Sequence, residues 1–253
     1  MNASAEQPTL ILTPRYTADT QALWKTASRQ GWSIERLSEW RIPAHLQRVR
    51  NPVLYAEALF APSLAEQLGI ELSQPADDWL VHLPEIYRKR AIRLSTLAEA
   101  RALAAPAFVK PPNDKSFPAR VYAPGELPTG YDEAMPVLVS DIVCWTSEFR
   151  CFVLDRRLAT YSIYARNGEL QDENDYATAD GERAALEAFM GGFLADSAVE
   201  LPRAAVVDVG IIAGGVGRAV VEQNAPWGAG LYGCDPERVL DVIRAAQSKE
   251  IAP

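Results

Sequence analysis

Val206-Val207-Asp208-Val209-Gly210-Ile211-Ile212-Ala213-Gly214-Gly215-Val216-Gly217-Arg218-Ala219-Val220-Val221-Glu222-Gln223-Asn224 is the stretch on which the fold turns. Two β-rich runs flank a glycine cluster, the pattern of a β-hairpin. With the turn centred on Gly215, antiparallel pairing sets Asp208 opposite Glu222 and Val206 opposite Asn224. Side chains alternate with a period of two, so Asp208, Glu222 and Asn224 share one face. Two carboxylates and an amide oxygen on one face repel one another without a cation. A hard divalent ion with oxygen ligands, Mg²⁺ in particular, resolves that conflict. The opposing reading is that both acids face water on a half-exposed sheet; their apolar flanks argue for a deep sheet instead. The glycines lack G-x-G-x-x-G spacing into a helix, which excludes a dinucleotide loop.

Working back towards the N-terminus, Ala107-Phe108-Val109-Lys110 is a short strand, bracketed by Pro106 and Pro111-Pro112. An ammonium at the end of an apolar strand needs an anion or solvent. Lys115 follows in the loop Pro111-Pro112-Asn113-Asp114-Lys115-Ser116. Lysines at both ends of a mobile loop can close over phosphates, or can simply sit at the surface. In Glu148-Phe149-Arg150-Cys151-Phe152, Glu148 and Arg150 share a strand face, and a plain cross-strand ion pair accounts for them equally well. Arg166 ends the next strand and can reach the same face.

The remaining chain is α/β. Strands are expected at 9–12 and 32–37 around a helix at 17–30 closed by Gly31, a small α/β unit with parallel pairing. Residues 51–69 read as a strand then a helix ending at Gly69, with further helices at 83–90 and 96–103. Helical segments give way to strands at 90–105, so the division is placed as an N-terminal α/β domain over 1–95 and a second domain over 96–253. The second half opens on a turn-rich segment, 111–135. Strands follow at 136–143, 148–154 and 157–164, with Asp155-Arg156 as the tight turn. A helix at 180–194, the hairpin strands 204–212 and 217–223, and a last helix at 236–247 complete the reading.

Composition narrows the function. The 253 residues carry a formal net charge of −8, so no general basic field holds a nucleic acid backbone, and none is expected as a partner. The basic run Arg88-Lys89-Arg90 is local. Cys144, Cys151 and Cys234 have no CxxC spacing, which argues for reduced, buried thiols rather than disulfides or zinc. The N-terminus MNASAEQPT shows no secretory pattern, and no stretch approaches the roughly 18 apolar residues of a membrane span. A cytoplasmic protein with no membrane partner is expected, and a homodimer is the base-rate oligomer. His45 and His82, in the N-terminal half, are expected at the surface or as caps rather than as catalysts.

Together these motifs resemble the ATP-grasp superfamily. The matching residues are Phe108-Val109-Lys110-Pro111, Val137-Leu138-Val139-Ser140-Asp141-Ile142, Glu148-Phe149-Arg150, Arg166, Asp208 and Glu222-Gln223-Asn224, spanning residues of about 100 to 235. The whole chain, from Leu12-Thr13-Pro14-Arg15-Tyr16 to Trp227-Gly228-Ala229-Gly230-Leu231-Tyr232-Gly233-Cys234, is similar to a bacterial and phage ATP-grasp clade named for two arginines and a lysine and formerly described as a domain of unknown function. The resemblance implies an ATP-grasp fold preceded by a small pre-ATP-grasp domain, with ATP and Mg²⁺ as cofactors. Lys110 would hold the ATP phosphates, and Ser140, Asp141, Ile142 and Val143 would meet adenine. Glu148 would face the ribose. Arg150, Arg166 and the loop residue Lys115 would face phosphates or an acyl-phosphate, and Asp208, Glu222 and Asn224 would ligate Mg²⁺. It further implies an ATP-dependent carboxylate–amine ligase, ADP-forming, acting on a small molecule, peptide or protein terminus. A kinase or dikinase and a non-catalytic nucleotide-binding module are the alternatives. Trp227 and Tyr232 either line the acceptor pocket or pack against the last helix, with Arg15 and Tyr16 as candidates for its other wall.

Overall fold

The computed structural model describes residues 7–113 and 115–249. Residues 1–6, on which most of the N-terminal targeting argument rests, Asp114 and residues 250–253 lie outside the described residues.

The chain opens with β1 (Thr9–Leu12), α1 (Ala18–Arg29), β2 (Ser33–Arg36), β3 (Pro52–Tyr55) and α2 (Ala61–Leu68). Thr17 and Thr20 cap the start of α1 reciprocally, each side chain taking the other's backbone N–H at 3.1 and 3.0 Å. Gly69, at φ 63°, ends α2 in the left-handed conformation that glycine adopts without strain. β1 is central, pairing in parallel with β2 and β3, as the strand–helix–strand pattern requires.

Between this unit and Lys110 lie β4 (Ile70–Leu72), α3 (Trp79–His82), α4 (Glu85–Arg88), β5 (Ile92–Thr96), α5 (Leu97–Arg101) and β6 (Ala107–Lys110). The single helix expected over 83–90 is two separate turns instead. Leu83 is extended at ψ 134°, because the residue before a proline is pushed out of the helical region. β4 and β5 are short strands that the sequence pattern did not disclose; β5 borrows its partner from far along the chain.

The second half contains β7 (Arg120–Tyr122), β8 (Pro136–Ser140), β9 (Trp145–Leu154), β10 (Arg157–Arg166), β11 (Glu169–Leu170), α6 (Asp180–Ala195), β12 (Ala204–Ile212), β13 (Gly217–Asn224), α7 (Pro236–Ala245) and β14 (Gln247–Lys249). Asp155 and Arg156 both have positive φ, 49° and 56°, the turn whose twist matches the β9–β10 hairpin. β8 stops at Ser140 rather than at 143, and residues 141–144 carry the chain to β9 in a different sheet.

Two antiparallel sheets dominate: β5–β8–β6–β7 and β11–β10–β9–β12–β13, with β4–β14 as a small third. The five-stranded sheet is covered on both faces. Phe149, Cys151, Val153, Val207 and Val209 pack with Leu186, Met190 and Phe193 of α6. On the opposite face, Phe152, Ala204 and Val206 join the core of the N-terminal unit and α7. Farther along that second face stand Arg150 and Asp208.

Candidate active site

The β12–β13 register is the one expected at the residues that matter. Asp208 pairs with Glu222 and Val206 with Asn224. A bulge lies just beyond, so Val209 is opposite Val220 and Val221 is the extra residue. Gly214 and Gly215, both at positive φ, make the turn. Asn224 Nδ2 donates to Asp208 Oδ2 and to Glu222 Oε1, each at 3.1 Å, so the three side chains do share a face.

Their charges are met partly by the chain itself. Arg150, on β9 opposite Asp208, donates from Nε to Oδ1 at 3.0 Å and from Nη2 to Oδ2 at 2.7 Å. Its third nitrogen donates to the Gly230 carbonyl at 3.1 Å, and the guanidinium lies 4.7 Å from the Tyr232 ring centroid. Lys110, from the other sheet, forms an ion pair with Glu222. Part of the repulsion that the pattern assigned to a bound cation is therefore relieved by Arg150 and Lys110.

A surplus of acid remains. Glu148 accepts from the Tyr164 hydroxyl at 2.9 Å and makes no cross-strand ion pair with Arg150. Asp19, from α1, accepts the Leu231 N–H at 3.2 Å and feels Arg150 only through space. Burial raises the carboxyl pKa of Asp208, Glu148 and Asp19, and Arg150 offsets this in each only in part. Burial also pushes the Glu222 carboxyl up, but the Lys110 ammonium and the Asn224 amide more than reverse it, leaving that pKa lowered. Four carboxylates thus surround two cations, and the donor set fits a hard divalent ion. Among the described residues no three His, Cys, Asp or Glu side chains converge on one point, so the amide oxygen of Asn224 would have to complete the set after its side chain turns.

The other candidates are spread around this cluster. Ser140, Asp141 and Ile142 line a shallow pocket of ≈ 490 Å³ beside Arg93 and Val139, and Val143 lies next along the linking segment. Arg166 is not brought onto the cluster. It pairs with Ser147, one residue out of phase with Glu148 and Arg150, and its guanidinium forks onto Glu182 of α6 at 2.6 and 2.7 Å. Lys115 is exposed on its loop, and among the described residues no hydrogen bond or ion pair ties it to the other candidates. Trp227 is buried, its indole N–H donating to the Ser73 carbonyl at 2.8 Å, so packing accounts for it. Tyr232 does reach the site, stacked on Tyr164 at 5.2 Å and covering Arg150. Arg15 lies 3.6 Å from Glu57 and Tyr16 is exposed, both on the N-terminal unit.

The sequence model for family 2 of the ATP-grasp clade named for two arginines and a lysine matches residues 87–242, which include every one of these candidates in β6, β8, β9, β10, β12 and β13. The chain belongs to that family.

Solved ATP-grasp structures share the fold over nearly the full chain. The D-alanine–D-alanine ligase of Bacillus anthracis is 14% identical, with a TM-score of 0.51, covering 94% of this chain and 96% of its own. The ATP-grasp ligase PsnB, solved with a minimal precursor, is 13% identical with a TM-score of 0.51, covering 95% and 99%. The macrocyclase MdnC of Microcystis aeruginosa MRC, bound to precursor peptide MdnA, is 11% identical with a TM-score of 0.50, covering 94% and 99%. No curated protein matches the sequence.

Among the described residues no helix is long and apolar enough to cross a membrane. Cys151 and Cys234 are buried free thiols as expected, whereas Cys144 is exposed. His45 and His82 are both exposed, away from this ATP-grasp site. Sequence reasoning missed Asp19, Tyr164 and Glu182. Glu182 had a readable signal, since an acid in the first turn of a helix caps its start.

Proposed function

We propose that this ATP-grasp protein is an ATP- and Mg²⁺-dependent carboxylate–amine ligase that forms ADP and works through an acyl-phosphate. The observation that carries the reading is the β12–β13 register, which gathers Asp208, Glu222 and Asn224 on one face against Arg150 and Lys110. In this reading Asp208, Glu222 and Asn224 hold Mg²⁺, and Lys110 exchanges Glu222 for an ATP phosphate. Residues 140–143 meet adenine and Glu148 the ribose hydroxyls. Arg150, Arg166 and Lys115 supply positive charge to the transferring phosphoryl group. Bound Mg²⁺ screens the phosphate charge and polarises the phosphoryl oxygens.

A carboxylate oxygen of the first substrate attacks the γ-phosphorus, and the bond to the bridging oxygen breaks to release ADP. The amine nitrogen of the second substrate then attacks the acyl carbon. Phosphate leaves, the nitrogen gives up a proton, and an amide results. We take residues 1–95 as the pre-ATP-grasp domain, which contributes Asp19 to the acceptor side, and residues 96–253 as the ATP-grasp domain. Precursor peptides bound by PsnB and MdnC favour a peptide carboxylate or terminus as substrate, with a small molecule as the other class. The test is ADP release against panels of carboxylates and amines. Release that requires one member of each supports the ligase, whereas acceptor labelling from γ-labelled ATP that is stable and independent of amine overturns it.

A further inference from the structure

The basic run Arg88-Lys89-Arg90 plays no part in the proposed chemistry, yet Arg90 is largely buried, and burial lowers its pKa to about 10. Its guanidinium lies at the edge of β13, the outermost strand of the five-stranded sheet. Nη1 donates to the Val220 carbonyl at 2.7 Å and Nη2 to the Val221 carbonyl at 3.0 Å. Successive carbonyls of a regular strand point to opposite edges. One guanidinium can meet both only because the chain is bulged at Val221.

That bulge decides which way Glu222 faces. Without the extra residue, pairing would continue from Val209–Val220 to Asp208–Val221 and Val207–Glu222. Val207 points into the apolar core under α6, so a one-residue slip would bury the Glu222 carboxylate there, away from Asp208. The same guanidinium lies 5.0 Å from the Trp145 ring centroid, and that ring is pressed onto Gly210, where a Cβ would come within 2.3 Å of it. Neighbouring contacts fix Arg90 from behind. Lys89 Nζ donates to the Val216 carbonyl at 2.8 Å, and Ala91 exchanges two hydrogen bonds with Asp141, at 2.9 and 3.0 Å. Arg90 therefore ties the strand carrying Glu222 to the segment that holds Ser140 and Asp141.

We propose that Arg90 is a positioning residue: it holds the β13 bulge open and so turns Glu222 and Asn224 toward Asp208. This rests on the metal-binding reading of those residues. A lysine keeps the charge and stem but cannot fork across two carbonyls. In Arg90→Lys, amide hydrogen exchange over residues 218–224 of the ligand-free protein should speed up relative to wild type. The Mg²⁺ concentration that half-saturates nucleotide binding, measured by calorimetry, should rise about tenfold, as is usual when a supporting partner of a metal ligand is lost. At saturating Mg²⁺ the affinity for ATP should stay within about twofold of wild type. Wild-type exchange rates and an unchanged Mg²⁺ requirement would overturn the proposal. So would an Arg90→Lys chain that does not fold, which would make the arginine a stability residue. A wild-type protein that binds no Mg-ATP would instead sink the functional reading on its own.

Discussion

Arg150 and Asp208 stand opposite each other on β9 and β12 and meet through two parallel hydrogen bonds of 3.0 and 2.7 Å, both side chains withdrawn from solvent. The fork sits at one edge of the acid cluster and cannot be undone one side at a time. Removing the carboxylate leaves a guanidinium buried without a counter-charge, a loss that typically costs about 3–5 kcal/mol. Asp208→Asn should therefore lower the urea midpoint markedly as well as abolish Mg-ATP turnover. An Arg150→Met/Asp208→Leu double variant should recover most of that stability and remain inactive. A double variant as unstable as the single one would show that the pair is not an isolated charge balance.

Lys110 and Glu222 join the two large sheets, and each is expected to trade the other for a ligand. Lys110→Ala should weaken ATP binding roughly 10- to 100-fold, the worth of a charge-assisted hydrogen bond to phosphate. Glu222→Gln should end turnover with a much smaller stability loss than Asp208→Asn, because Glu222 is only half-buried. Fluorescent-nucleotide titration reads the first effect, and unchanged affinity would remove Lys110 from the site.

Arg166 meets Glu182 rather than the cluster, and Glu182 also accepts the Ala179 N–H at 3.2 Å to cap α6. A glutamine at 182 keeps the cap but loses the ion pair. Partly exposed pairs are worth up to about 1 kcal/mol, so Glu182→Gln should lower the KM for ATP about two- to fivefold if Arg166 serves the phosphates. The reciprocal Arg166→Ala should raise it. A Glu182→Gln KM that rises would mean that the pair orients Arg166 rather than competing for it.

The legible part of the site was the part written in local alternation. Asp208, Glu222 and Asn224 fall on one face because apolar residues between them mark both strands, and glycines mark the turn. The bulge at Val221 left no trace in that pattern, since Val220-Val221 reads as uninterrupted strand. Counting from the turn nevertheless met the correct pair, because centring on Gly215 absorbed the extra residue. What alternation could not supply was partner identity over long separations. Arg90 with Val220 and Arg166 with Glu182 depend on how helices and sheets dock, as does the pairing of β5 with β8. Proline explains the one helix that was drawn too long, at 83–90, and the short β4 and β14 strands exist only because each borders the other.

Glu148 offers a pH test of the acid surplus. Burial, then Asp208 and Glu222 beside it, hold its pKa above the ordinary carboxylate range despite the Tyr164 hydrogen bond. A group whose folded pKa is raised keeps its proton in the native state when the unfolded chain has already lost it. Stability is therefore lost as pH rises from the ordinary carboxylate value through the raised one. Glu148→Gln removes that loss. The variant should unfold at higher urea than wild type at pH 7.5, and the gap should close as pH falls toward about 4, where both carboxyl states are protonated. Mg²⁺ added without nucleotide should stabilise wild type more at pH 7.5 than at pH 5, because protonation and the cation relieve the same surplus charge. A stability gap that is flat with pH would place Glu148 outside the electrostatic cluster and leave Asp208 and Glu222 as its only strained members.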